Sequence, residues 1–377
     1  MRFNFDLRLL ARFDIGFLLV TLAIIGIGAL TIYSATFDPE LGSSAYAWRQ
    51  LGWGGIGLVA ALATTLFDYR RLERWAPAIY GTGVLLLIAV LFIGQSGGGS
   101  QRWLGVGPLR IQPSEVMKLL LVVLLARHYH HHERPAGLRL RELVLPAIWT
   151  VVPAGLILVQ PDLGTASGLA LVGISVTLMA GLSRGTLGLI GLAVAGVIPL
   201  GPLLFSQLKD YQKNRIFTFL DPESDPLGAG YHVIQSKIAI GSGGFSGKGF
   251  LSGTQARLDF LPEQHTDFVF AVLSEEWGFV GVAFVLSLYL ALLLRGLVVV
   301  HRAKERFGAL LAFGVLANIF WQAAINLAMT TGLFPVVGIT LPFLSYGGSS
   351  LVALMLGVGL VLNINMRRLS RERLPRL

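Results

Sequence analysis

The chain has 377 residues, of which 54% are hydrophobic and only 14% are charged, and its mean hydropathy is +0.69. Soluble domains carry roughly 25% charged residues, so this composition excludes a soluble protein and indicates a polytopic membrane protein. A net charge of +9 would suit a nucleic-acid-binding protein, but in a membrane protein the positions of the charges matter more than their sum. The chain has no cysteine, which excludes disulfides and thiolate metal sites.

Ten apolar runs are predicted to span the membrane, since a spanning helix needs about 20 apolar residues. The first run follows three arginines and lacks a small-residue cleavage site, so we predict a retained helix rather than a signal peptide. The whole chain, 1–377, is predicted to form one all-α transmembrane domain. The predicted spans are 14–35, 50–67, 75–94, 113–127, 143–160, 164–182, 186–206, 267–295, 308–330 and 346–365.

Lysine and arginine set the predicted orientation. With the N-terminus inside, most of them fall in segments that would face the cytoplasm, as the positive-inside rule requires. An even number of spans then places the C-terminus inside as well, and this topology explains the basic excess without a nucleic-acid partner. The same topology leaves a long outer loop, about 207–266, between the seventh and eighth spans. Within it, 231–240 is predicted to form an interfacial helix with Val233, Ile234 and Ile238 on its apolar face.

Two local patterns are reminiscent of ligand sites without meeting their requirements. The glycine-rich run 241–249 has Ser242 at the first glycine position of a phosphate loop, and Gly249 where Ser or Thr would meet Mg²⁺. We therefore predict a flexible glycine loop. The second pattern is a histidine cluster after the fourth span, where a solvated loop is favoured over a metal site because consecutive histidines do not share a face. Its members are His128, His130, His131 and His132.

Five acidic residues at the outer ends of predicted spans require an explanation, because ionised groups in a bilayer are costly. They are Glu115, Asp162, Asp267, Glu275 and Glu276. Glu115 and Lys118 are three residues apart and can pair on one helix face. The pair is either purely structural or part of an anion-binding cluster with Arg102 and Arg110, beside a helix N-terminus whose dipole favours a diphosphate.

Asp162 and Asp267 each stand at the start of a predicted helix. Asp162 follows a proline in a tight turn, which favours a helix N-cap, and the alternative is that it lines the outer cavity. Asp267 is also predicted to cap its helix, whose N-terminus would keep the carboxylate ionised and available as a base at neutral pH. Glu275 and Glu276 lie about 12–13 Å deeper along that helix. They are predicted to form a proton pathway or to be buried partners of arginine or backbone groups.

A break in regular helix precedes the last span. The segment 338–350, GITLPFLSYGGSS, contains Pro342 and adjacent glycines. Irregular backbone at membrane depth is tolerated where it is packed in protein or lines a wet cavity. Together with the region of Asn326, this segment predicts an outward-facing cavity, and Ser345, Gly347 and Gly348 are candidate substrate-binding residues.

Four segments, in order along nearly the whole chain, resemble the SEDS proteins of bacterial cell-wall synthesis. They are QRWLGVGPLRIQPSEVMK (101–118), VQPDLGTA (159–166), LPEQHTDFVFAVLSEEWGFVG (261–281) and GITLPFLSYGGSSL (338–351). Within the family, the segment 214–244 is more similar to the elongation member than to the division paralogue, which remains the alternative. The resemblance implies ten transmembrane helices with both termini inside, in the cytoplasmic (inner) membrane.

The resemblance also implies a peptidoglycan glycosyltransferase that polymerises lipid II into β-1,4 glycan strands on the outer face of the cytoplasmic membrane. The family's essential aspartate falls on Asp267, as general base. The positions that would bind substrate are Arg102, Arg110, Glu115, Lys118 and Asp162. The implied partners are a class B penicillin-binding protein and other membrane proteins of the elongation machinery. No protein metal ligands are predicted, and assistance by a divalent cation (Mg²⁺ or Mn²⁺) is left open.

Two other functions are compatible with these residues. A transporter that flips the lipid-linked precursor would also place ionisable residues within the membrane. Many transporters show paired repeats and a midplane site, and neither is apparent in the sequence. A non-catalytic scaffold for cell-wall enzymes is the third hypothesis, and it predicts that Asp267→Asn leaves function intact.

Overall fold

The computed structural model describes residues 12–38, 40, 42–97, 100–106, 109–197, 205–207, 213, 217–224, 229–257 and 263–368, and these are almost entirely helical. A small antiparallel sheet joins the third and fourth helices. The helices are α1 (Ile15–Ala35), α2 (Ala45–Leu66), α3 (Arg70–Ile93), α4 (Pro113–His131), α5 (Val144–Val159), α6 (Leu163–Ala180), α7 (Arg184–Val197), α8 (Ala229–Ser242), α9 (Thr254–Arg257), α10 (Val269–Arg302), α11 (Arg306–Thr330) and α12 (Gly348–Arg367).

Seven helical segments in the described part of the chain are long and apolar enough to cross a membrane, so the protein is a polytopic membrane protein. They are α1, α3, α5 with the 3₁₀ turn before it, α6, α10, α11 and α12. The other three predicted spans also coincide with helices, α2, α4 and α7, which are shorter or less apolar.

Helix α4 ends later than predicted. It continues to His131, so three of the four clustered histidines form its last turn instead of a solvated loop. The helix continues because Glu73 of α3 offers these side chains a partner: its Oε1 lies 3.0 Å from His131 Nε2 and 3.8 Å from His130 Nε2.

The core lies where α4, α11 and α12 meet, and nearly all of α12 is buried. Glycines allow the close approach of the helices that surround it. A Cβ at Gly359 would clash with the Ala61 carbonyl of α2, and one at Gly28 would clash with the backbone of Leu344. Small residues at helix interfaces are how membrane helices gain packing without a hydrophobic driving force.

The sheet was not predicted from the sequence. Its strands, β1 (Gln95–Gly97), β2 (Ser100–Val106) and β3 (Leu109–Ile111), pair antiparallel in that order. Strand β2 carries Arg102, and in β3 Arg110 lies opposite Gly105. The sheet therefore holds both arginines of the predicted anion-binding cluster.

Helix α10 is interrupted at Gly278, whose φ of 60° and ψ of −162° are not helical. The glycine-rich loop fills the interruption. Four backbone hydrogen bonds join the two segments: Lys248 N to Glu275 O (3.0 Å), Gly249 N to Glu276 O (3.0 Å), Phe279 N to Gly244 O (2.9 Å) and Val280 N to Phe245 O (3.2 Å). The prediction of a flexible loop is wrong, because loop amides and carbonyls pair with the groups that the broken helix leaves free.

Helix α8 was predicted correctly as a helix, and its predicted apolar face is divided: Val233 packs against the bundle and Ile238 does not. Val233, Ser236 and Ala239 are buried, whereas Ile238 is 46% exposed. The Ser236 hydroxyl donates to the Thr330 carbonyl at the end of α11 (2.8 Å). Small side chains face the bundle here because they permit this close approach.

Candidate functional site

Asp267 lies in a turn, 263–268, just before α10. The Glu263 carbonyl accepts the backbone N–H groups of Thr266 and Asp267, both at 3.1 Å. Helix α10 starts at Val269, its N-cap residue is Phe268, and no side chain caps it. The prediction that Asp267 caps the helix is therefore wrong, because the turn carries the chain past the cap position before the helix starts.

Asn326 of α11 fixes the backbone of this turn. Its Nδ2 donates to the Asp267 carbonyl (2.8 Å) and to the Ile339 carbonyl (2.6 Å), and the residue is fully buried. One amide thereby joins the turn to the segment 338–348. The Tyr346 N–H donates to the His265 carbonyl (2.8 Å), which forms a second link between the two segments.

The Asp267 carboxylate accepts no hydrogen bond from the residues that the structure describes. It lies beside Gly338, where an added Cβ would be 3.6 Å from Oδ2. Burial, reinforced by Glu263, raises the pKa of Asp267 to about 6, Arg102 opposes the rise and Asp162 adds to it. Burial thus outweighs the helix terminus that was predicted to keep the carboxylate fully ionised. A pKa near 6 still leaves most of it ionised at pH 7, close to the optimum for a general base.

Asp162 caps α6, as one of its two predicted roles required. It accepts from the Thr165 N–H (3.0 Å) and the Thr165 hydroxyl (2.9 Å). Its Oδ2 also lies 3.4 Å from Arg102 Nη1, while Arg102 Nη2 donates to the Pro161 carbonyl (2.8 Å). Arg102 Nε is buried and has no partner among the described residues. The Arg102 guanidinium thus joins the sheet to the turn before α6 and keeps one donor unused.

Glu115 and Lys118 form the predicted ion pair, with Lys118 Nζ 2.9 Å from Glu115 Oε1. The Ser350 hydroxyl donates to the second Glu115 oxygen (2.9 Å). Lys118 is only 2% exposed, so its charge is neutralised within the bundle in this conformation. Arg110, in contrast, is exposed and makes no ion pair with the described residues.

Gln112 connects Asp162 to Ser349 at the start of α12, and its role was not predicted from the sequence. Its Nε2 donates to Asp162 Oδ2 (3.3 Å), and its N–H donates to the Ser349 hydroxyl (3.3 Å). A continuous polar network therefore runs from Arg102 through Asp162 and Gln112 to the start of α12. The sequence feature that could have indicated this role is the position of Gln112 directly before Pro113, at the start of a predicted span.

The three candidate residues at the start of α12 are packed against other parts of the protein. The Ser345 hydroxyl accepts from the Leu341 N–H (2.8 Å), and its carbonyl accepts from Gln50 Nε2 (3.0 Å). Gly347 N donates to Gln50 Oε1 (3.4 Å), and a Cβ at Gly348 would clash with the Trp53 ring of α2. These contacts shape the irregular segment, and the substrate role of Ser345, Gly347 and Gly348 stays a prediction.

An aromatic cluster lies two residues from Asp267 and was also missed. The ring centroids of Tyr46 and His265 are 4.6 Å apart, and the Tyr346 ring lies 5.2 Å from Tyr46 and 5.7 Å from His265. Burial lowers the pKa of His265 despite the opposing effect of Glu263, so the imidazole is neutral at pH 7. Aromatic faces of this kind stack well on sugar rings and apolar chains.

Of the two predictions for Glu275 and Glu276, the structure agrees with buried residues that have structural partners. Glu275 Oε1 lies 2.6 Å from Lys248 Nζ and accepts the Thr254 N–H (2.9 Å), so it anchors the start of α9. The Ser34 hydroxyl donates to Glu276 Oε1. The cation is a lysine instead of the arginine considered from the sequence.

The described residues contain no group of three His, Cys, Asp or Glu side chains that could hold a metal ion. Asp162 is already engaged by Thr165 and Arg102, whereas the Asp267 carboxylate has no donor among the described residues. The described residues at this site therefore lack the three protein ligands of a self-contained metal site.

Fold and site together define a polytopic membrane protein in which the Asp267 carboxylate, in the turn before α10 and within the influence of Arg102, has no donor among the described residues. The FtsW/RodA/SpoVE family profile, described as cell cycle protein, matches residues 15–370, and the chain belongs to this family. It is 44% identical to the peptidoglycan glycosyltransferase MrdB of Escherichia coli K12 over 93% of both chains. It is 34% identical to the peptidoglycan glycosyltransferase RodA of Treponema pallidum, over 96% of this chain and all of the relative.

Solved structures show the same fold. A chain from a study of polymerisation and crosslinking by a peptidoglycan synthase complex superposes with a TM-score of 0.80 at 37% identity, over 95% of this chain and 99% of that chain. The rod shape-determining protein RodA of Thermus thermophilus superposes with a TM-score of 0.69 at 32% identity, over 95% and 98%.

Proposed function

We propose that this protein is a peptidoglycan glycosyltransferase that polymerises lipid II during cell elongation. Relatives that carry the name peptidoglycan glycosyltransferase, MrdB and RodA, align with almost the whole chain and support this activity. The division paralogue FtsW is the alternative within the family, and relatives of that name are 33–37% identical to the chain. The 44% identity to MrdB favours the elongation member.

The reaction needs one base. Asp267 removes the proton from the GlcNAc 4-hydroxyl as this oxygen attacks the anomeric carbon of the other substrate's MurNAc. The bond to the diphosphate breaks and the anomeric carbon is inverted, which gives a β-1,4 linkage. The diphosphate leaves without protonation, so the second carboxylic acid that glycosidases require is not needed. The observation that carries the proposal is the Asp267 carboxylate, which has no donor among the described residues and a pKa of about 6.

The departing diphosphate is bound by Arg102, whose charge acts on Asp267, together with Arg110. Arg102 contributes the unpaired Nε, and Arg110 contributes an exposed guanidinium on the neighbouring strand. Preorganised donors of this kind stabilise charge that develops in the transition state. Glu115 and Asp162 hold the cations and the helix termini in place, and Lys118 reaches the substrate only after it separates from Glu115. A divalent cation, Mg²⁺ or Mn²⁺, would be held on the protein side by the Asp267 carboxylate and would supply positive charge against the leaving diphosphate, since such ions need only one or two protein carboxylates.

The proposed arrangement in the membrane has ten spans with both termini in the cytoplasm of a bacterial cell, in the cytoplasmic (inner) membrane. The site then faces outward, where lipid II is used. A class B penicillin-binding protein is the proposed partner, and other membrane proteins of the elongation machinery join the same assembly. The similarity to a chain from a study of a peptidoglycan synthase complex supports the partnership.

The activity is tested with purified protein, with and without its transpeptidase partner, supplied with labelled lipid II. Glycan strands are expected from the parent and from Glu223→Gln, which alters an exposed carboxylate outside the site. Asp267→Asn is expected to abolish the strands. Abundant polymer from Asp267→Asn would remove Asp267 as the base, and translocation of lipid II in liposomes without polymer would indicate a flippase.

The role of the cations is tested separately. Arg110→Ala is expected to lower polymerisation while protein yield and thermal unfolding stay unchanged, because Arg110 is exposed and supports no ion pair among the described residues. Arg110→Lys restores part of the rate through its charge. Loss of activity that occurs only with loss of folded protein would return Arg110 to a structural role.

A further inference from the structure

A cavity of about 260 Å³ lies where α1 begins and where α10 and α12 end. It is called the arginine pocket below. It is lined by Arg12, Phe13, Asp14, Ile15, Val298, Val299, Arg302, Asn365 and Arg368. Asp267 precedes the other end of α10, and Gln264 contacts the other end of α1 through the Ala35 carbonyl. The arginine pocket therefore lies at the opposite end of both helices from the proposed active site.

The lining of the arginine pocket contains three arginines and one carboxylate, that of Asp14. Arg12 and Arg302 make no side-chain hydrogen bond or ion pair with the described residues, and Arg368 contacts only the Asn365 side chain (3.2 Å). Asp14, the one carboxylate of the lining, already accepts from the Phe17 N–H (2.9 Å) and pairs with Arg295 (3.0 Å). Three arginines thus line one pocket, and the described residues offer them no carboxylate that is not already engaged.

Hydrogen bonds hold the lining in a defined arrangement, since Asn365 contacts two of the three arginines. Its Nδ2 donates to the Arg12 carbonyl (3.0 Å), and its Oδ1 accepts from Arg368. Apolar residues form the rim: Ile15 is 61% exposed and Val298 is 46% exposed, each on a helix that is apolar enough to cross a membrane. A cationic pocket with an apolar rim at the end of spanning helices is complementary to an anion that carries acyl chains.

We propose that the arginine pocket binds the phosphate of an anionic phospholipid, such as phosphatidylglycerol, with an acyl chain along Ile15 and Val298. Guanidinium groups bind phosphate through paired, charge-assisted hydrogen bonds. Basic pockets between transmembrane helices are recognised sites for anionic lipid headgroups. The lipid would join the ends of α1, α10 and α12. It would so stabilise α10, whose other end follows Asp267.

The experiment measures lipid binding to the purified full chain in detergent, by native mass spectrometry and thermal unfolding. The probes are phosphatidylglycerol, phosphatidylethanolamine, inorganic phosphate and glycerol 3-phosphate. Arg302→Gln is the main variant. Arg12→Gln is the second, because only the Arg12 backbone contacts Asn365 and the change leaves that contact intact. Arg141→Gln is the control, an exposed arginine outside the pocket.

Phosphatidylglycerol is expected to bind and to raise the unfolding temperature, and each pocket variant is expected to weaken binding about fivefold. Phosphatidylethanolamine should bind more weakly and respond little to the variants. An equal loss with Arg141→Gln would show diffuse attraction and overturn the proposal. So would equal binding of both lipids, or stabilisation by inorganic phosphate or glycerol 3-phosphate that matches the lipid, which would assign the pocket to a soluble anion.

Discussion

Asp267 combines a fixed backbone with an uncommitted side chain. Asn326 and the Glu263 carbonyl hold its main chain, while no described residue donates to its carboxylate. A half-buried carboxylate without a donor is an unfavourable arrangement for stability, and such arrangements are expected where the group must react. The burial that raises its pKa also strengthens its interaction with neighbouring cations.

The pH dependence of polymerisation follows from this pKa. The base must be ionised, so the rate is expected to be flat above about pH 7 and to fall about tenfold per unit below the pKa of about 6. Initial rates of lipid II polymerisation between pH 4.5 and 8 measure the profile, and thermal unfolding at each pH controls for loss of folded protein. An acidic limb near pH 4, the ordinary range of an aspartate, would contradict the assigned environment.

Asp267→Asn is expected to unfold at the same or a higher temperature than the parent at pH 7. A carboxyl group whose pKa is raised by folding binds its proton more tightly in the folded state. Its contribution to stability is therefore present below about pH 4 and is lost as the pH rises through about 6. The unfolding temperature of the variant relative to the parent should thus increase from pH 4.5 to 7. A clear loss of stability at pH 7 would indicate an essential contact of the carboxylate.

Asn326→Ala should destabilise the fold and lower activity although Asp267 remains. It leaves the Asp267 and Ile339 carbonyls without their donor, at a cost of about 2–4 kcal/mol. The matched control is Asn318→Ala, two turns earlier on α11, where the lost bond joins two side chains, Asn318 and Gln322. Denaturant unfolding in detergent measures both. Equal effects would mean that Asn326 contributes through general burial only.

At the scale of elements, the long apolar runs were sufficient to predict the seven candidate spanning helices of the described residues, because burial in lipid or protein dominates their energetics. Features that depend on distant partners were not predictable. The turn at 263–268 moves the helix start past Asp267, and the α8 face is decided by what Ser236 meets on α11. The glycine loop has its partners in α10, more than twenty residues further along the chain.

Gly278→Ala tests the interruption of α10. Its φ and ψ lie in a region that is open essentially to glycine alone, and an added Cβ would clash with Gly247 N. The free energy of unfolding should fall by about 3 kcal/mol or more. Gly26→Ala in α1 is the control, since nothing lies within 4 Å of its Cβ position and alanine favours helix over glycine. Similar effects of the two substitutions would mean that α10 can straighten at little cost.

At the scale of the whole molecule, orientation was predicted from charge alone and is open to direct measurement. The chain has no cysteine, so single cysteines can be labelled without background. Ser252→Cys, in the loop after the glycine-rich run, should react with an impermeant maleimide added to intact cells stripped of their outer membrane. Ala136→Cys, between α4 and α5, should react only after the membrane is opened. Reversed labelling would overturn the proposed direction and place Asp267 on the cytoplasmic side.

The interruption at Gly278 also bears on how the chain enters the membrane. An ordinary spanning helix closes its own hydrogen bonds and is ready for lipid as soon as it forms. Helix α10 cannot do so near Gly278, because Phe279 and Val280 donate to the Gly244 and Phe245 carbonyls. That loop precedes the helix in the chain, so it is synthesised before α10. Insertion of the helix that follows Asp267 is therefore expected to be coupled to the docking of this loop, which would act as an assembly template for the first half of α10.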